Sequence, residues 1–381
     1  MRTIYLDHAA TTPIHPEVLQ TMLTKGQDVF GNPSSIHSFG RETRKHLDEA
    51  RRTVANSLGA KEQEIIFTSG GTESNNLALI GTALANKHKG KHIISTNQEH
   101  YATLDSLQYL ESLGFTVSYI PVNEYGQVSV KDIELALTEE TILVSVMAVN
   151  NETGVIQPID EIAKGLKDKN ILFHIDAVQA YGYIDIAVDE MNIDLLTVSS
   201  HKINGPKGVG ALYIRDGVQL QSLLYGGEQE RKRRPGTESV INIIGFQKAV
   251  EIMQQEKMKR NKLYEEYKTL FLQTLRDEKV EYYINGPLDK TVPTIVNLSF
   301  PSCEVETLLT NLDLEGIAAS SGSACTAGSV EYSHVLLAMF GDNSERPKNS
   351  IRFSFGSHNT KESVVEAAKR IAKIIKRLKA L

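Results

Sequence analysis

The sequence predicts an α/β fold built on a mostly parallel sheet. Short apolar runs alternate with stretches whose apolar residues recur three and four positions apart, a pattern typical of strand-helix-strand units. The runs are continuous rather than alternating, as in strands that are buried on both faces of a sheet. The length of 381 residues, with 41% hydrophobic and 23% charged residues, indicates a globular chain with two domains and large cores.

The elements follow one another in a regular order through the first two thirds of the chain. Helical patterns occupy 73–88 and 101–113, and a long polar helical stretch covers roughly 246–280. The pattern then changes to separate strands at 294–300 and 350–356, so we place a domain boundary near residue 260. The buried strands are predicted at 64–70, 92–96, 116–122, 141–150, 171–177 and 195–200.

Composition excludes several classes of protein. The 41 Lys and Arg against 47 Asp and Glu give a net charge of −6, which does not indicate a nucleic-acid partner. The two cysteines are too few for a disulfide framework and lack zinc-site spacing, so we predict no metal and a reducing compartment. No apolar stretch is long enough to cross a membrane, and we therefore expect a cytoplasmic protein.

The segment TSGGTESNN at 68–76 is a candidate anion site. A strand runs into Gly70 and Gly71, and Thr72 then opens a helix. Backbone N–H groups at a helix start hold phosphate well, although an ordinary glycine-rich turn has the same sequence. The segment has neither a Walker pattern nor GxGxxG, which leaves a mononucleotide or a cofactor monophosphate as the ligand.

Two polar residues end neighbouring apolar runs. Lys202, in SSHKINGPKG, follows a buried strand, where it is either a Schiff-base lysine or a solvated loop residue. Asp176, in HIDAVQA, places a carboxylate at the same sheet edge and needs a buried partner. A lysine, a carboxylate and a phosphate turn together describe the site of a pyridoxal phosphate enzyme.

Four further residues are candidates for chemistry or packing. Cys325 lies among small residues in SSGSACT and is either a reactive thiol on a mobile loop or a packed one, whereas Cys303 reads as structural. Arg352, in SIRFSFG, either clamps a carboxylate or pairs with a structural acid. His100 either stacks on a flat cofactor or fills a strand-to-helix corner.

Taken in order, these motifs resemble the pyridoxal phosphate-dependent cysteine desulfurases of the NifS/IscS type, in fold-type I of the aminotransferase superfamily (class V). The resemblance runs nearly end to end. The motifs that carry it are YLDHAATTP, GNPSSIHSFG, TSGGTESNN, the pair Glu99 and His100, AVNNETGVIQP, HIDAVQA, SSHKINGPKGVGALY, RRPGTES, SSGSACT and SIRFSFG.

The resemblance implies an architecture. The large domain, residues 14–260, would hold pyridoxal 5'-phosphate on a mostly parallel seven-stranded sheet flanked by helices. A smaller α+β domain, residues 1–13 and 261–381, would carry the catalytic cysteine loop, and two chains would form a homodimer.

The resemblance also implies residue roles. Lys202 would form the Schiff base and act as base, Asp176 would pair with the pyridine nitrogen, Gln179 would bond the ring hydroxyl, and His100 would stack on the ring. Cys325 would be the nucleophile. Phosphate ligands would be Gly71, Thr72, Ser199, His201 and the Thr237 of the partner subunit, and substrate carboxylate ligands would be Asn151 and Arg352.

The implied reaction converts L-cysteine to L-alanine and leaves a persulfide on Cys325. An acceptor protein, either a tRNA-thiolating enzyme or an iron-sulfur scaffold, would take the sulfur. The chain departs from the common opening at His8, where Tyr is usual, which leaves the role of that side chain open. It ends soon after its last helix, so we expect the acceptor to be a tRNA-thiolating enzyme, instead of or in addition to an iron-sulfur scaffold. Selenocysteine lyase, an aminotransferase and a non-catalytic docking protein are the alternatives.

Overall fold

A seven-stranded sheet forms the centre of the computed structural model, which describes residues 3–322 and 332–380. Neighbouring strands run parallel, except that β8 runs antiparallel to both of its neighbours, β2 and β7. The strands, in their spatial order, are β2 (Ile65–Thr68), β8 (Gly210–Ile214), β7 (Leu195–Ser199), β6 (Leu172–Asp176), β5 (Thr141–Met147), β3 (His92–Thr96) and β4 (Thr116–Ile120).

The predicted fold class is confirmed, and the sheet has the seven strands that the resemblance implies. All six strands predicted in this region are present, and the seventh, β8, comes from the run GALYI that follows a glycine-rich turn. The chain turns back after β7, so β8 lies beside β7 and runs antiparallel to it. Strand β2 pairs with the other side of β8 at the edge of the sheet, and it therefore runs in the same direction as β7.

Both faces of this sheet are buried. Successive residues of a strand point to opposite faces, so Ile65 and Phe67 of β2 enter one apolar core while Ile66 enters another. In β5, Val144 likewise enters the first of these cores and Leu143 enters the second.

The helices are α1 (Pro16–Asp28), α2 (Ser38–Leu58), α3 (Gly71–Asn76), α4 (Thr82–Asn86), α5 (Tyr101–Ser112), α6 (Val130–Ala136), α7 (Ile159–Leu166), α8 (Val240–Asp277), α9 (Val305–Leu314), α10 (His334–Phe340) and α11 (Lys361–Lys379).

A separate apolar core lies around a second, antiparallel sheet. That sheet has the strand order β12 (Ser350–Ser354), β10 (Ile295–Ser299) and β9 (Tyr283–Ile284), and β1 (Ile4–Tyr5) pairs in parallel with β11 (Ile317–Ala318) beside it.

The long helix α8 contributes to both cores. Its first half, including Phe246, packs on the large sheet, and its second half, including Phe271, packs in the second core. The division of the chain into domains at residue 260 falls within this helix and stays a prediction. The apolar stripe of α11, including Ile371 and Ile375, is buried in the second core. Over the two described ranges, every helix is too short or too polar to cross a membrane.

Candidate active site

A cavity of about 520 Å³ opens where the parallel strands of the large sheet end. Asp176 is the last residue of β6, Ser199 is the last residue of β7, and the chain reaches the cavity again just after β2, β3 and β5. This is the edge at which α/β sheets bind ligands. The cavity brings together ten of the predicted site residues: Gly71, Thr72, His100, Asn151, Asp176, Gln179, Ser199, His201, Lys202 and Arg352.

Lys202 lies in a single 3₁₀ turn directly after β7. Its Nζ donates hydrogen bonds to the carbonyl oxygens of Ala9 and Ala10, the second at 3.1 Å. Loss of solvent around the amine, followed by the positive charge of Arg352, lowers the pKa of Lys202 to about 8. A lysine with this pKa is neutral in a substantial fraction of molecules near pH 8, which is the state required of a nucleophile or a base.

Asp176 faces Lys202 across the same cavity. Its Oδ2 accepts from Asn75 Nδ2 at 2.7 Å, and its Oδ1 accepts from the backbone N–H of Val178 at 2.9 Å. Both oxygens of Asp176 therefore accept N–H hydrogen bonds, which fix the orientation of the carboxyl group in the cavity wall. Asn75 was missed by the sequence analysis, although it lies one turn after Gly71 in the quoted motif TSGGTESNN.

His100 caps the start of α5. Its Nδ1 accepts from the backbone N–H of Ala102 at 3.0 Å, so the proton of the neutral ring lies on Nε2. Burial lowers the pKa of His100, although the nearby carboxylate of Asp176 opposes the shift. The ring is thus a neutral, flat group on the cavity wall.

The turn at Gly70 and Gly71 reaches the cavity, which Gly71 helps to line. Gly70 has a φ of 149°, and a Cβ on Gly71 would lie 2.9 Å from Val178 Cγ2, so both positions favour glycine. Outside the cavity, Arg234 makes an ion pair with Glu73 at 2.7 Å, and the Glu73 carboxylate accepts from Ser69 N. Of the basic run at 231–234, Arg234 therefore supports this turn.

Two polar side chains stand beside that turn. Ser199 Oγ is buried and has no hydrogen-bond partner among the described residues. His201 Nδ1 lies 3.2 Å from Thr11 Oγ1, and loss of solvent lowers the pKa of His201 to about 4. A neutral His201 can donate a hydrogen bond to an anion in this corner.

Arg352 projects from β12 into the cavity and is almost fully buried. Its Nη1 donates to the backbone oxygen of Asn151 at 2.9 Å, and its Nη2 makes an ion pair with Asp7 Oδ1 at 2.9 Å. Sequence reasoning missed Asp7, which lies in the quoted opening YLDHAATTP but 345 residues away from Arg352. The pair joins the amino terminus to the second sheet at the mouth of the cavity.

Of the two remaining predicted residues, Thr237 is not among the residues that line this cavity, and Cys325 is not described by the structure. Thr237 is exposed and lines another cavity of about 420 Å³, together with Phe30. Cys325, with the loop predicted to carry it, lies outside the described residues, and the chain that leads to it lines the active-site cavity at Ser320 and Gly322. Cys303 is 3% exposed, as expected for a structural thiol.

The residues present fit pyridoxal 5'-phosphate. Besides Lys202 and Asp176, two buried oxygen atoms of the cavity walls, Gln179 Oε1 and Asn151 Oδ1, have no hydrogen-bond partner among the described residues, as Ser199 Oγ also has none. A buried polar atom without a hydrogen-bond partner costs free energy, unless a ligand supplies the missing partner. A lysine, a carboxylate and a glycine turn around such a cavity define a pyridoxal phosphate-dependent enzyme.

Comparison with known proteins agrees with this class. The chain matches the aminotransferase class-V family over residues 4–366. It is 54% identical over 378 residues to the "Putative cysteine desulfurase IscS 1" of Bacillus subtilis, covering 99% of this chain and 100% of the relative. It is 47% identical to the "Cysteine desulfurase IscS" of Dictyoglomus turgidum, covering 100% and 96%.

Solved structures give the same result. A "NIFS-LIKE PROTEIN" superposes with a TM-score of 0.92 at 37% identity, covering 98% of this chain and 100% of that one. A structure described as "SspA in complex with cysteine" superposes with a TM-score of 0.81 at 35% identity, covering 94% and 100%. The chain belongs to the aminotransferase class-V family, whose members depend on pyridoxal phosphate. The predicted resemblance and the predicted cofactor are thereby confirmed.

Proposed function

We propose that the chain is a pyridoxal phosphate-dependent cysteine desulfurase, which converts L-cysteine to L-alanine and passes the sulfur to an acceptor protein. The observation that carries this proposal is the placement of Lys202, Asp176 and Arg352 around one cavity, in a chain 54% identical to a relative named as a cysteine desulfurase. The cavity accommodates a cofactor and a small amino acid between Lys202 and Arg352.

The cofactor is held by residues from several strand ends. Lys202 would bind it covalently, Asp176 would pair with its ring nitrogen, Gln179 would bond its hydroxyl oxygen and the neutral ring of His100 would stack on it. The phosphate is bound by the N–H groups at the start of α3 and by polar side chains of the turn after β7, a set made up of Gly71, Thr72, Ser199 and His201. When bound, pyridoxal phosphate supplies an electron sink that makes the Cα hydrogen of an amino acid acidic.

The chain's own residues bind the substrate and move its proton. Arg352 and Asn151 bind the substrate carboxylate, which orients the Cα hydrogen toward Lys202. The Nζ of Lys202, with its lowered pKa of about 8, accepts that proton and later returns a proton to the product carbon.

The sulfur of the substrate is transferred to the Sγ atom of Cys325. The Sγ thiolate attacks the substrate sulfur, so that an S–S bond forms while the Cβ–S bond of the substrate breaks. The electron pair of the broken bond stays on the substrate carbon, which takes up a proton and leaves as L-alanine. The product on the protein is a persulfide, whose outer sulfur is passed to the acceptor.

A homodimer completes the phosphate site. Thr237 is exposed beside a cluster of large apolar side chains on the surface, in which Phe30 is 69%, Ile36 is 91% and Phe39 is 55% exposed. The rings of Phe30 and Phe39 lie 5.2 Å apart. A patch of this kind is typical of a protein interface, and a second copy covering it brings Thr237 to the partner's phosphate.

The sulfur serves tRNA thiolation, iron-sulfur cluster assembly or both, through acceptor proteins and without direct nucleic-acid binding or a membrane partner. The low cysteine content supports the cytoplasm as its compartment, since a chain with few cysteines and no disulfide framework is typical of reducing compartments. The two acceptor routes are distinguished by offering the purified persulfide form to a tRNA-thiolating enzyme and to an iron-sulfur scaffold, and measuring the sulfur each takes.

The proposed activity is tested by an absorbance spectrum before and after addition of L-cysteine, with alanine and sulfide measured in the same tube under a reductant. We expect a visible cofactor band that shifts with L-cysteine, and equal amounts of alanine and sulfide. A shift without these products would indicate another amino-acid reaction on this fold. Absence of the band after addition of pyridoxal phosphate would contradict the cofactor assignment.

A further inference from the structure

The guanidinium of Arg352 is already engaged by groups of the protein. Nη1 donates to the backbone oxygen of Asn151, and Nη2 donates both to Asp7 Oδ1 and to Ser320 Oγ, each at 2.9 Å. Nε is buried and has no partner among the described residues. The two hydrogens of Nη2 are therefore both in use.

This geometry conflicts with full binding of a ligand carboxylate. A planar guanidinium binds a carboxylate with two parallel hydrogen bonds, through either the Nη1 and Nη2 pair or the Nε and Nη2 pair. Both pairs include Nη2. A ligand that binds in either way has to take an Nη2 hydrogen from Asp7 or from Ser320.

Of these two, Asp7 is the partner that opposes the ligand by charge. Its side chain is 20% exposed while that of Arg352 is 5% exposed, so the pair lies in a region where charges are only partly screened. A ligand carboxylate on Arg352 would stand close to a second negative charge. Ser320 is neutral and does not repel it.

The backbone of Asp7 is fixed, so exchange requires movement of its side chain alone. Asp7 forms a bridge with Ser354, next to Arg352 on β12, and its carbonyl oxygen accepts from Ala10 N at 3.1 Å. The same segment supplies the carbonyl oxygens of Ala9 and Ala10 to Lys202. Asp7 is thus held at the mouth of the site whether or not its carboxylate remains on Arg352.

We propose that Asp7 is a specificity-determining residue, whose carboxylate occupies Arg352 in the free enzyme and competes with the carboxylate of the ligand. Asp7 keeps the buried Arg352 paired when no substrate is present, and it weakens binding of every ligand that carries a carboxylate. This inference rests on the proposed role of Arg352 in substrate binding.

The test uses the two halves of L-alanine as competitive inhibitors of the holoenzyme: propionate, which has only the carboxylate, and ethylamine, which has only the amine. In Asp7→Asn, the side chain keeps its shape and can still accept from Arg352, but it has no charge. We expect the inhibition constant of propionate to fall about tenfold and that of ethylamine to show no such fall. Ser320→Ala, which frees an Nη2 hydrogen without changing a charge, should change the propionate constant much less.

An unchanged or higher propionate constant in Asp7→Asn would overturn the inference, since it would mean that Asp7 only orients Arg352. The cofactor band and the unfolding temperature report whether this variant folds, and Asp7→Ser removes the same charge if it does not. Arg352→Gln separates this inference from the proposed function. If Arg352→Gln leaves propionate inhibition unchanged, the assignment of Arg352 itself is wrong.

Discussion

The buried ion pair between Arg51 and Glu230 gives the sharpest prediction about stability. The side chains are 7% and 1% exposed, and Glu230 accepts from both terminal nitrogens of Arg51, at 2.6 and 2.7 Å. Glu230 Oε2 also accepts from the backbone N–H of Phe67 at 2.9 Å. The pair therefore connects α2 and the loop at 230 to Phe67 of strand β2, four residues before Gly71.

In Glu230→Gln, the amide oxygen can replace one carboxylate oxygen, but its NH₂ group then faces a donor of Arg51. One charge-assisted hydrogen bond is lost and a buried guanidinium is left without its counter-ion. Breaking a buried pair in this way costs about 3 kcal/mol of unfolding free energy. Glu228→Gln is the matched control, because Glu228 and Lys232 form an exposed pair, 78% and 70% accessible, which contributes less than about 0.5 kcal/mol.

The assay is urea unfolding at one protein concentration with saturating pyridoxal phosphate, so that cofactor and subunit binding contribute equally to each variant. We expect the midpoint of Glu230→Gln to fall well below those of wild type and Glu228→Gln, with the slope unchanged. Equal midpoints for the two variants would refute the reasoning that burial makes this pair important.

Three further predictions concern the site and its surroundings. The pKa of Lys202 is about 8, so the rate at which cofactor-free protein binds pyridoxal phosphate should rise with pH, with the midpoint of the rise near pH 8. Arg352→Gln should move that midpoint to higher pH, because it removes a positive charge that lowers the pKa of Lys202. An unchanged midpoint would contradict this. Burial lowers the pKa of His8 to about 4, so between pH 6.5 and 4 the unfolded chain binds more protons than the folded chain, and the free energy of unfolding decreases as the pH falls through that range. His8→Phe should flatten this part of the curve of unfolding free energy against pH. An unaltered slope would count against this role of His8. If Thr237 serves the partner's site, a mixed dimer of Lys202→Ala and Thr237→Ala chains should regain activity, which does not occur if Thr237 acts within its own chain.

Strand positions were predictable because the sheet is buried on both faces. The run HIIST at 92–96 coincides with β3, and the predicted strand ends place Asp176 and Ser199 at the cavity. Strand β8 was not predicted from its apolar pattern, because GALYI begins with glycine and directly follows a glycine-rich turn. The long helix begins at Val240 rather than 246, since its apolar first turns pack on the large core and lack the polar pattern used to predict it.

The sequence predicted the cavity-lining residues that follow strands, but not the partners that tertiary structure brings to them. Lys202 and Asp176 carry local signals, since each ends an apolar run. Asp7 has no local signal, because its partner Arg352 is 345 residues away. Asn75 reads as an ordinary helix residue until its hydrogen bond to Asp176 is seen. Partners that lie far apart in the chain are brought together only by tertiary packing, which a single sequence does not show.

The most direct test of the account is a single turnover without reductant, in which holoenzyme receives one equivalent of L-cysteine and both alanine and the mass of the protein's cysteine peptides are measured. We expect one alanine for each sulfur atom added, with that sulfur on Cys325. Cys303→Ser, which alters the buried cysteine, should give the same result, and Cys325→Ser should retain the cofactor band but acquire no sulfur. Sulfur on Cys303, or full sulfur transfer by Cys325→Ser, would contradict the central claim that Cys325 accepts the substrate's sulfur.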